Sequence, residues 1–260
     1  MGAILELERL KKSFGGLVAV NSLTFAVREG EILGFIGPNG AGKTTVFNLI
    51  MGVFRPDSGR IIFKGRDITG WRTYRVVNAG IARVFQLSRY LRHKTVFENI
   101  EISTIKNEVF AREDPRFRAE RVYQAAELVG LREELWKPPP ALPHAGLRRL
   151  ELAKALATDP ELLLLDEPFA GLSPAEVEEI SGVIARFRRE GKTIVLVDHN
   201  VRGVMRLVDR VVVICFGEKL AEGLPEEVAV DPKVQEAYLA GGTVAGGGGE
   251  AEAGQEVRPS

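Results

Sequence analysis

With a single cysteine, Cys215, this 260-residue chain has no second thiol to close an intramolecular disulfide and no cysteine cluster for structural zinc. Cys215 lies inside the apolar run 211–216 and reads as a small core residue. Excess charge is also lacking. Lys+Arg and Asp+Glu stand at 35 each, so no global field holds nucleic acid or an anionic lipid surface. The apolar runs end after a handful of residues, short of the ~18–20 that a membrane-crossing helix requires. Any membrane role must then be peripheral. Residues 1–8 break their apolar positions with acids, so no secretory signal is expected. There is no internal repeat.

What is there is globular. A hydrophobic fraction of 45% over this length is enough for one large core, or a core with a smaller lobe. Ile4 to Leu10, Ser22 to Val27 and Arg60 to Phe63 space their apolar residues as strands, with Gly15-Gly16, Glu29-Gly30 and Pro56 to Gly59 as turns. Antiparallel pairing is the expectation. The runs within 31–36, 161–165, 193–197 and 211–216 are continuous apolar stretches bounded by polar or turn residues, the pattern of strands buried on both faces of a parallel sheet. Val177, Ile180, Ile184 and Phe187 form one apolar stripe over a predicted helix from Pro174 to Arg189, with Ser173 and Glu176 in capping-box spacing. Strand, helix, strand in this order argues for an α/β layered fold. From about 95 to 158 the strand signal gives way to charged helical patterns interrupted by Asp114-Pro115 and Pro138-Pro-Pro140. This is read as a helical lobe inserted in a domain spanning 1–240. Residues 241–260 carry Gly246 to Gly249 and almost nothing large and apolar, so a disordered tail is expected.

Three motifs carry chemistry. Gly37-Pro-Asn-Gly-Ala-Gly-Lys-Thr44 follows a predicted strand and has the spacing of a phosphate-binding P-loop. Chance would produce it in a chain of this length on the order of once in a hundred. Its glycines let successive N–H groups converge on phosphate oxygens, and the following helix turns its positive end to the same anion. Lys43 is placed to reach the β- and γ-phosphates, and the Thr44 hydroxyl to face Mg²⁺. The apolar run 162–165 then delivers Asp166 and Glu167 to a strand's carboxyl end, where α/β sheets bind ligands. Asp166 suits a magnesium shell, and Glu167 suits the attacking water as its base. A third apolar strand ends in Asp198-His199. The His199 imidazole there is either a donor to a developing γ-phosphate oxyanion or a solvated loop histidine.

Taken together, the P-loop, Gln86 in Arg-Val-Phe-Gln, Leu-Leu-Asp-Glu-Pro, Ala170-Gly-Leu-Ser-Pro174 and Asp198-His199 resemble, in order and spacing, the motifs of ABC transporter ATPases. The likeness runs from about Leu5 to Leu239. Residues 5–20, Arg148 to Ala153 and Glu222 to Leu239 look like the branched-chain amino-acid importer branch. The resemblance implies a P-loop NTPase core with an antiparallel β subdomain and an inserted helical lobe, and ATP with Mg²⁺ as cofactors. It puts the nucleotide against Phe14, Val20, Asn39, Gly40, Ala41, Gly42, Lys43, Thr44, Thr45 and Gln86. It puts the metal near Thr44, Gln86 and Asp166, and catalysis on Glu167 and His199. Phe14 matches the aromatic that stacks on adenine, and is otherwise one more apolar residue at a strand end. Gln86 matches the glutamine that links nucleotide to the helical lobe, and is otherwise a solvated side chain.

The likeness fails at the lid that this family closes over a partner's ATP. Where relatives carry Leu-Ser-Gly-Gly-Gln, this chain has Leu142-Pro-His-Ala-Gly146. Proline at the serine position occurs in the branched-chain branch, whereas His144, Ala145 and Gly146 are unusual; Pro143 has neither the serine hydroxyl nor an N–H. His144 either replaces the donor or is merely exposed. Ser173 also stands where an acid or amide is usual. The expected partners are transmembrane permease subunits, a second ATPase subunit with an intact lid and, indirectly, a solute-binding protein; nucleic acid is not expected. The resemblance implies a peripheral location on the cytoplasmic face of the membrane, powering import of branched-chain or related amino acids, with amides or urea as further candidates. Competing expectations are a lipid or lipopolysaccharide exporter and a soluble ATPase acting on ribosomes or DNA. A P-loop GTPase is disfavoured because no Asn-Lys-x-Asp motif is present.

Overall fold

The computed structural model describes residues 2–85, 89–105 and 114–244, apart from the side chains of residues 115, 202 and 240–244. In chain order its first elements are β1 (Ala3–Phe14), β2 (Leu17–Arg28), β3 (Ile32–Ile36), α1 (Lys43–Ile50), β4 (Ser58–Phe63), β5 (Arg66–Asp67), α2 (Thr73–Asn78) and β6 (Ile81–Val84). Three helices follow, α3 (Val96–Ser103), α4 (Pro115–Val129) and α5 (His144–Leu156). The chain then runs through β7 (Leu162–Asp166), α6 (Pro174–Arg189), β8 (Thr193–Val197), α7 (Val201–Met205), β9 (Arg210–Cys215), β10 (Glu218–Gly223), α8 (Pro225–Ala229) and α9 (Pro232–Val244).

The continuous apolar runs form the parallel sheet expected of them. Its order is β10-β9-β3-β8-β7-β6, with only β10 antiparallel to its neighbour. Alternate side chains of these strands enter two separate cores. Leu163, Leu165, Ile194 and Leu196 meet the helices on one face, whereas Leu162, Leu164, Val195 and Val197 meet α1 and the second sheet. That second sheet, β2-β1-β4-β5, is antiparallel throughout. Strand β6 escapes sequence reasoning because it is short and holds an arginine among its four residues. β10 escapes it because its residues are mostly polar and at least partly exposed.

All three helices α3 to α5 fall between β6 and β7. Asp114-Pro115, read from sequence as an interruption, instead starts α4: the Asp114 carboxylate accepts from Arg116 N–H at 2.9 Å, and Pro115 occupies the first turn. The Pro138 to Pro140 run makes a short 3₁₀ turn before α5. Helix α9 extends to Val244, four residues into the segment read as tail, and residues 245–260 lie outside the described residues.

Helix α6 has the predicted bounds, and both halves of its capping box are formed. Ile180, Val183, Ile184 and Phe187 are its buried face, with Val177 packed at the margin. Phe187 has no exposed surface, so Phe187→Ala is expected to lose about 3–5 kcal/mol in urea unfolding through a cavity the rigid sheet cannot close. A loss near that of a surface substitution would mean the helix end repacks.

Candidate functional site

The loop after β3 is held by contacts that only glycine permits. A Cβ on Gly37 would lie 2.1 Å from the Ile214 carbonyl oxygen, and one on Gly42 would lie 2.3 Å from that of Ala19. Gly42, at φ 103°, caps α1 without a side chain, leaving the first-turn N–H groups facing the loop. The loop is also tied to both sheets. Gly217 N–H donates to Ala41 O at 3.0 Å, and Asn21 N–H donates to Gly217 O at 2.9 Å. Beyond it, Tyr238 of α9 accepts from Gly37 N–H; burial pushes its phenol up to about 12, with that bond pulling the other way. Asn39, Gly40 and Thr44 are exposed, Gly42 and Thr45 half-buried, and Ala41 buried.

Lys43 folds back on the loop, Nζ donating to the carbonyl oxygens of Gly37 (2.7 Å) and Pro38 (2.9 Å). Burial holds its ammonium below the usual lysine range, while the negative charges of Glu167 and Asp166 pull it up. The lysine thus lies in the field of both candidate carboxylates before any ligand is present.

Asp166 ends β7 almost wholly buried, its Oδ2 2.5 Å from Arg83 Nη2 on the neighbouring strand β6. The next residue turns sharply: Glu167 has φ 52° and its N–H donates to Val197 O at 2.7 Å. Positive φ in a residue with a side chain stores roughly 1–3 kcal/mol, and the paired strands hold it in place. The turn brings Glu167 Oε1 to 2.7 Å from His199 Nε2 at the end of β8. Asp198, between them, accepts from Phe169 N–H (2.9 Å) and Asn200 N–H (2.8 Å). Burial raises its carboxyl above the usual range against those two bonds, so it acts as a clasp between the two loops.

Phe14 stands at the tip of the β1–β2 hairpin, 41% exposed, edge-on to Phe54 at 5.1 Å and under the Lys12 ammonium. Val20 is fully buried in the core cluster behind the loop. Gln86 lies outside the described residues. Pro143 precedes α5 and as its N-cap makes no side-chain hydrogen bond, while the Glu176 carboxylate of α6 bonds the Ala145 backbone; His144 is exposed, and a Cβ on Gly171 would lie 3.2 Å from its Cε1.

Sequence reasoning missed two arginines of the site. Arg148, buried on α5, reaches Phe85 O (Nη1, 3.3 Å) and Ala170 O (Nη2, 3.5 Å), joining the end of β6 to the loop after β7. Burial holds its guanidinium below the ordinary value, opposed by Glu151, Asp198 and Glu167. Arg83 joins Asp166 to Asn48 of α1, its Nη1 donating to Asn48 Oδ1 at 2.6 Å. A charge inside the apolar run 81–84 was the available signal, because a buried strand tolerates one only beside a countercharge.

The arrangement can hold a polyphosphate at the N-terminus of α1, with a carboxylate base facing it from β7. Among the described residues no group of three or more His, Cys, Asp or Glu could hold a metal alone. One hydroxyl at Thr44 and one carboxylate at Asp166 do fit magnesium, a hard ion that takes its remaining ligands from phosphate and water.

Comparison with known proteins agrees with this geometry. The ABC transporter family matches residues 20–170, and a family described as branched-chain amino acid ATP-binding cassette transporter matches residues 218–239. The high-affinity branched-chain amino acid transport ATP-binding protein LivG of Salmonella typhimurium is 40% identical over 248 residues, covering 91% of this chain and 97% of that protein. The lipopolysaccharide export system ATP-binding protein LptB of Haemophilus influenzae is 34% identical over 237 residues, 91% of this chain and 97% of that protein. Among solved structures, the ADP conformation of MJ1267, an ATP-binding cassette of an ABC transporter, superposes with a TM-score of 0.85 at 28% identity, covering 92% of this chain and 99% of that one.

Proposed function

The chain belongs to the ABC transporter family as an ATP-hydrolysing subunit, and from that premise we propose that it drives an importer of branched-chain or related amino acids. The observation that carries the substrate class is the match of its C-terminal segment, residues 218–239, to the branched-chain family, beside 40% identity to LivG across nearly the whole chain. The lipopolysaccharide relative is less similar, at 34%.

In this reading Phe14 stacks on adenine, while the N–H groups from Asn39 to Thr45 take the phosphates. Lys43 exchanges its two carbonyl partners for β- and γ-phosphate oxygens, which return the countercharge that burial denies it. Thr44 and Asp166 would hold Mg²⁺, which neutralises charge on the phosphates when bound. Glu167 takes a proton from the water that attacks the γ-phosphorus, and the bond to the ADP oxygen breaks. His199, already bonded to Glu167, orients that carboxylate and faces the departing phosphate. Residues 1–240 act as one ATPase domain whose segment 95–158 meets the transmembrane permeases. That segment's surface suits docking: Trp136 is 66% exposed and stacks on Phe97 at 5.1 Å. The subunit sits peripherally on the cytoplasmic face, as its likeness to ATP-binding subunits of transporters suggests, and no helix among the described residues is long and apolar enough to cross a membrane.

The test is transport. Deleting the gene is expected to reduce uptake of radiolabelled leucine, isoleucine and valine to background, with recovery on complementation. Unchanged uptake of these, of amides and of urea would overturn the substrate class. Lipopolysaccharide stalled in the inner membrane would favour export instead.

A further inference from the structure

The Arg83 side chain is enclosed, 3% exposed. Both terminal nitrogens are committed, Nη2 to Asp166 and Nη1 to Asn48. Its guanidinium lies over the rings of Phe47 (5.5 Å) and Phe85 (4.7 Å), so it is fixed from α1 and from the end of β6 at once. Phe85 is itself held through its carbonyl by Arg148. An arginine with this many constraints is not a mobile surface partner. It is a built counter-ion for one carboxylate.

That carboxylate is the one expected to face Mg²⁺. A buried anion of this kind attracts any divalent cation strongly unless something already compensates it. With Arg83 in place, Asp166 presents little net charge to a bare ion. Once ATP is bound, the phosphates supply the negative charge that draws the ion in, and Asp166 need contribute only the oxygen not held by Arg83. We propose that Arg83 is a positioning residue that keeps Asp166 neutralised and aimed in the nucleotide-free chain, so that the divalent ion is accepted only together with nucleotide phosphate. This rests on the reading of Asp166 as a metal-facing carboxylate. Through Phe85 the same guanidinium abuts the segment leading to Gln86.

The experiment uses Mn²⁺ as a spin-active probe, titrated by electron paramagnetic resonance into the nucleotide-free full chain. Arg83→Met is expected to tighten Mn²⁺ binding by about tenfold or more, as loss of a unit charge at this range implies. Arg83→Lys, which keeps the charge, should stay near the unmodified protein. The gain should vanish in the Arg83→Met, Asp166→Asn double variant. No gain with Arg83→Met, or the same gain with Arg83→Lys, overturns the proposal. Should Arg83→Met fail to fold, Arg83→Gln, a polar side chain without the charge, takes its place: a comparable gain in Mn²⁺ binding supports the proposal, and none overturns it. Asp166→Asn alone separates the two ideas. If it raises the Mn²⁺ concentration needed for nucleotide binding while Arg83→Met changes nothing, the reading of Asp166 stands and the role of Arg83 falls. If Asp166→Asn has no such effect, the reading of Asp166 itself falls, and the proposal with it.

Discussion

Glu167→Gln is expected to cut phosphate release by about 10²–10⁴-fold while leaving ATP bound, because the amide keeps the shape of the side chain and cannot take a proton. The structure makes this a clean substitution. Glu167 is held by its backbone, with φ at 52° and its N–H on Val197 O, so the turn does not depend on the carboxylate. The amide oxygen can still accept from His199 Nε2, which lies 2.7 Å from Oε1. Nucleotide contacts, expected from the loop 39–45 on the next strand but one, should be untouched. Trapped ATP should then hold the ATPase dimer closed. The measurement is ATP affinity beside steady-state phosphate release on the assembled transporter, with and without the substitution. Turnover that survives intact would take the base away from Glu167 and leave Asp198, buried and clasping two loops, a poor replacement.

How much of this was legible follows from the range of each signal. The runs 162–165 and 193–197 read as buried parallel strands because both faces of a central strand meet apolar layers, and an unbroken short apolar run is the pattern that such burial needs. Motif residues at strand ends were legible for the same reason: once the strands are known, Asp166, Glu167 and His199 must emerge at one edge. What failed was whatever depended on a partner distant in sequence. Arg83 looks like an error in a strand until Asp166, 83 positions away, is seen beside it. Tyr238 reads as part of a C-terminal helix, and nothing nearby in sequence points to Gly37. The role of Asp114-Pro115 was ambiguous locally, since the same pair ends one helix or begins the next. Only the observed carboxylate bond to Arg116 N–H resolves it.

The second large effect concerns the dimer. Alone, the chain is expected to hydrolyse ATP slowly, and pairing with a second ATPase subunit is expected to restore turnover at the site built on this chain's P-loop. The imbalance lies in the sequence: Lys43, Asp166, Glu167 and His199 are present, whereas the lid reads Leu142-Pro-His-Ala-Gly146. The geometry sharpens it. Pro143 sits immediately before α5, where a serine would offer a hydroxyl and an N–H, and it offers neither. Pro143 itself offers no capping side chain, and the Glu176 carboxylate of α6 already bonds the Ala145 backbone in the first turn beside the exposed His144, so this end of α5 is less open to an anion than a serine lid. A homodimer would close both ATP sites with this reduced lid. A heterodimer would place the partner's complete lid over this chain's catalytic set and leave the weak lid for the partner's nucleotide. Inactivating Glu167 in that pair should therefore cost far more turnover than inactivating the partner's matching glutamate. Restoring serine by Pro143→Ser should raise activity of the chain alone, because it returns both the hydroxyl and the N–H. Purified chain, purified pair and the two single-site variants can be compared in one phosphate-release assay. Robust hydrolysis by the homodimer, or equal losses from the two glutamate variants, would defeat the asymmetric arrangement.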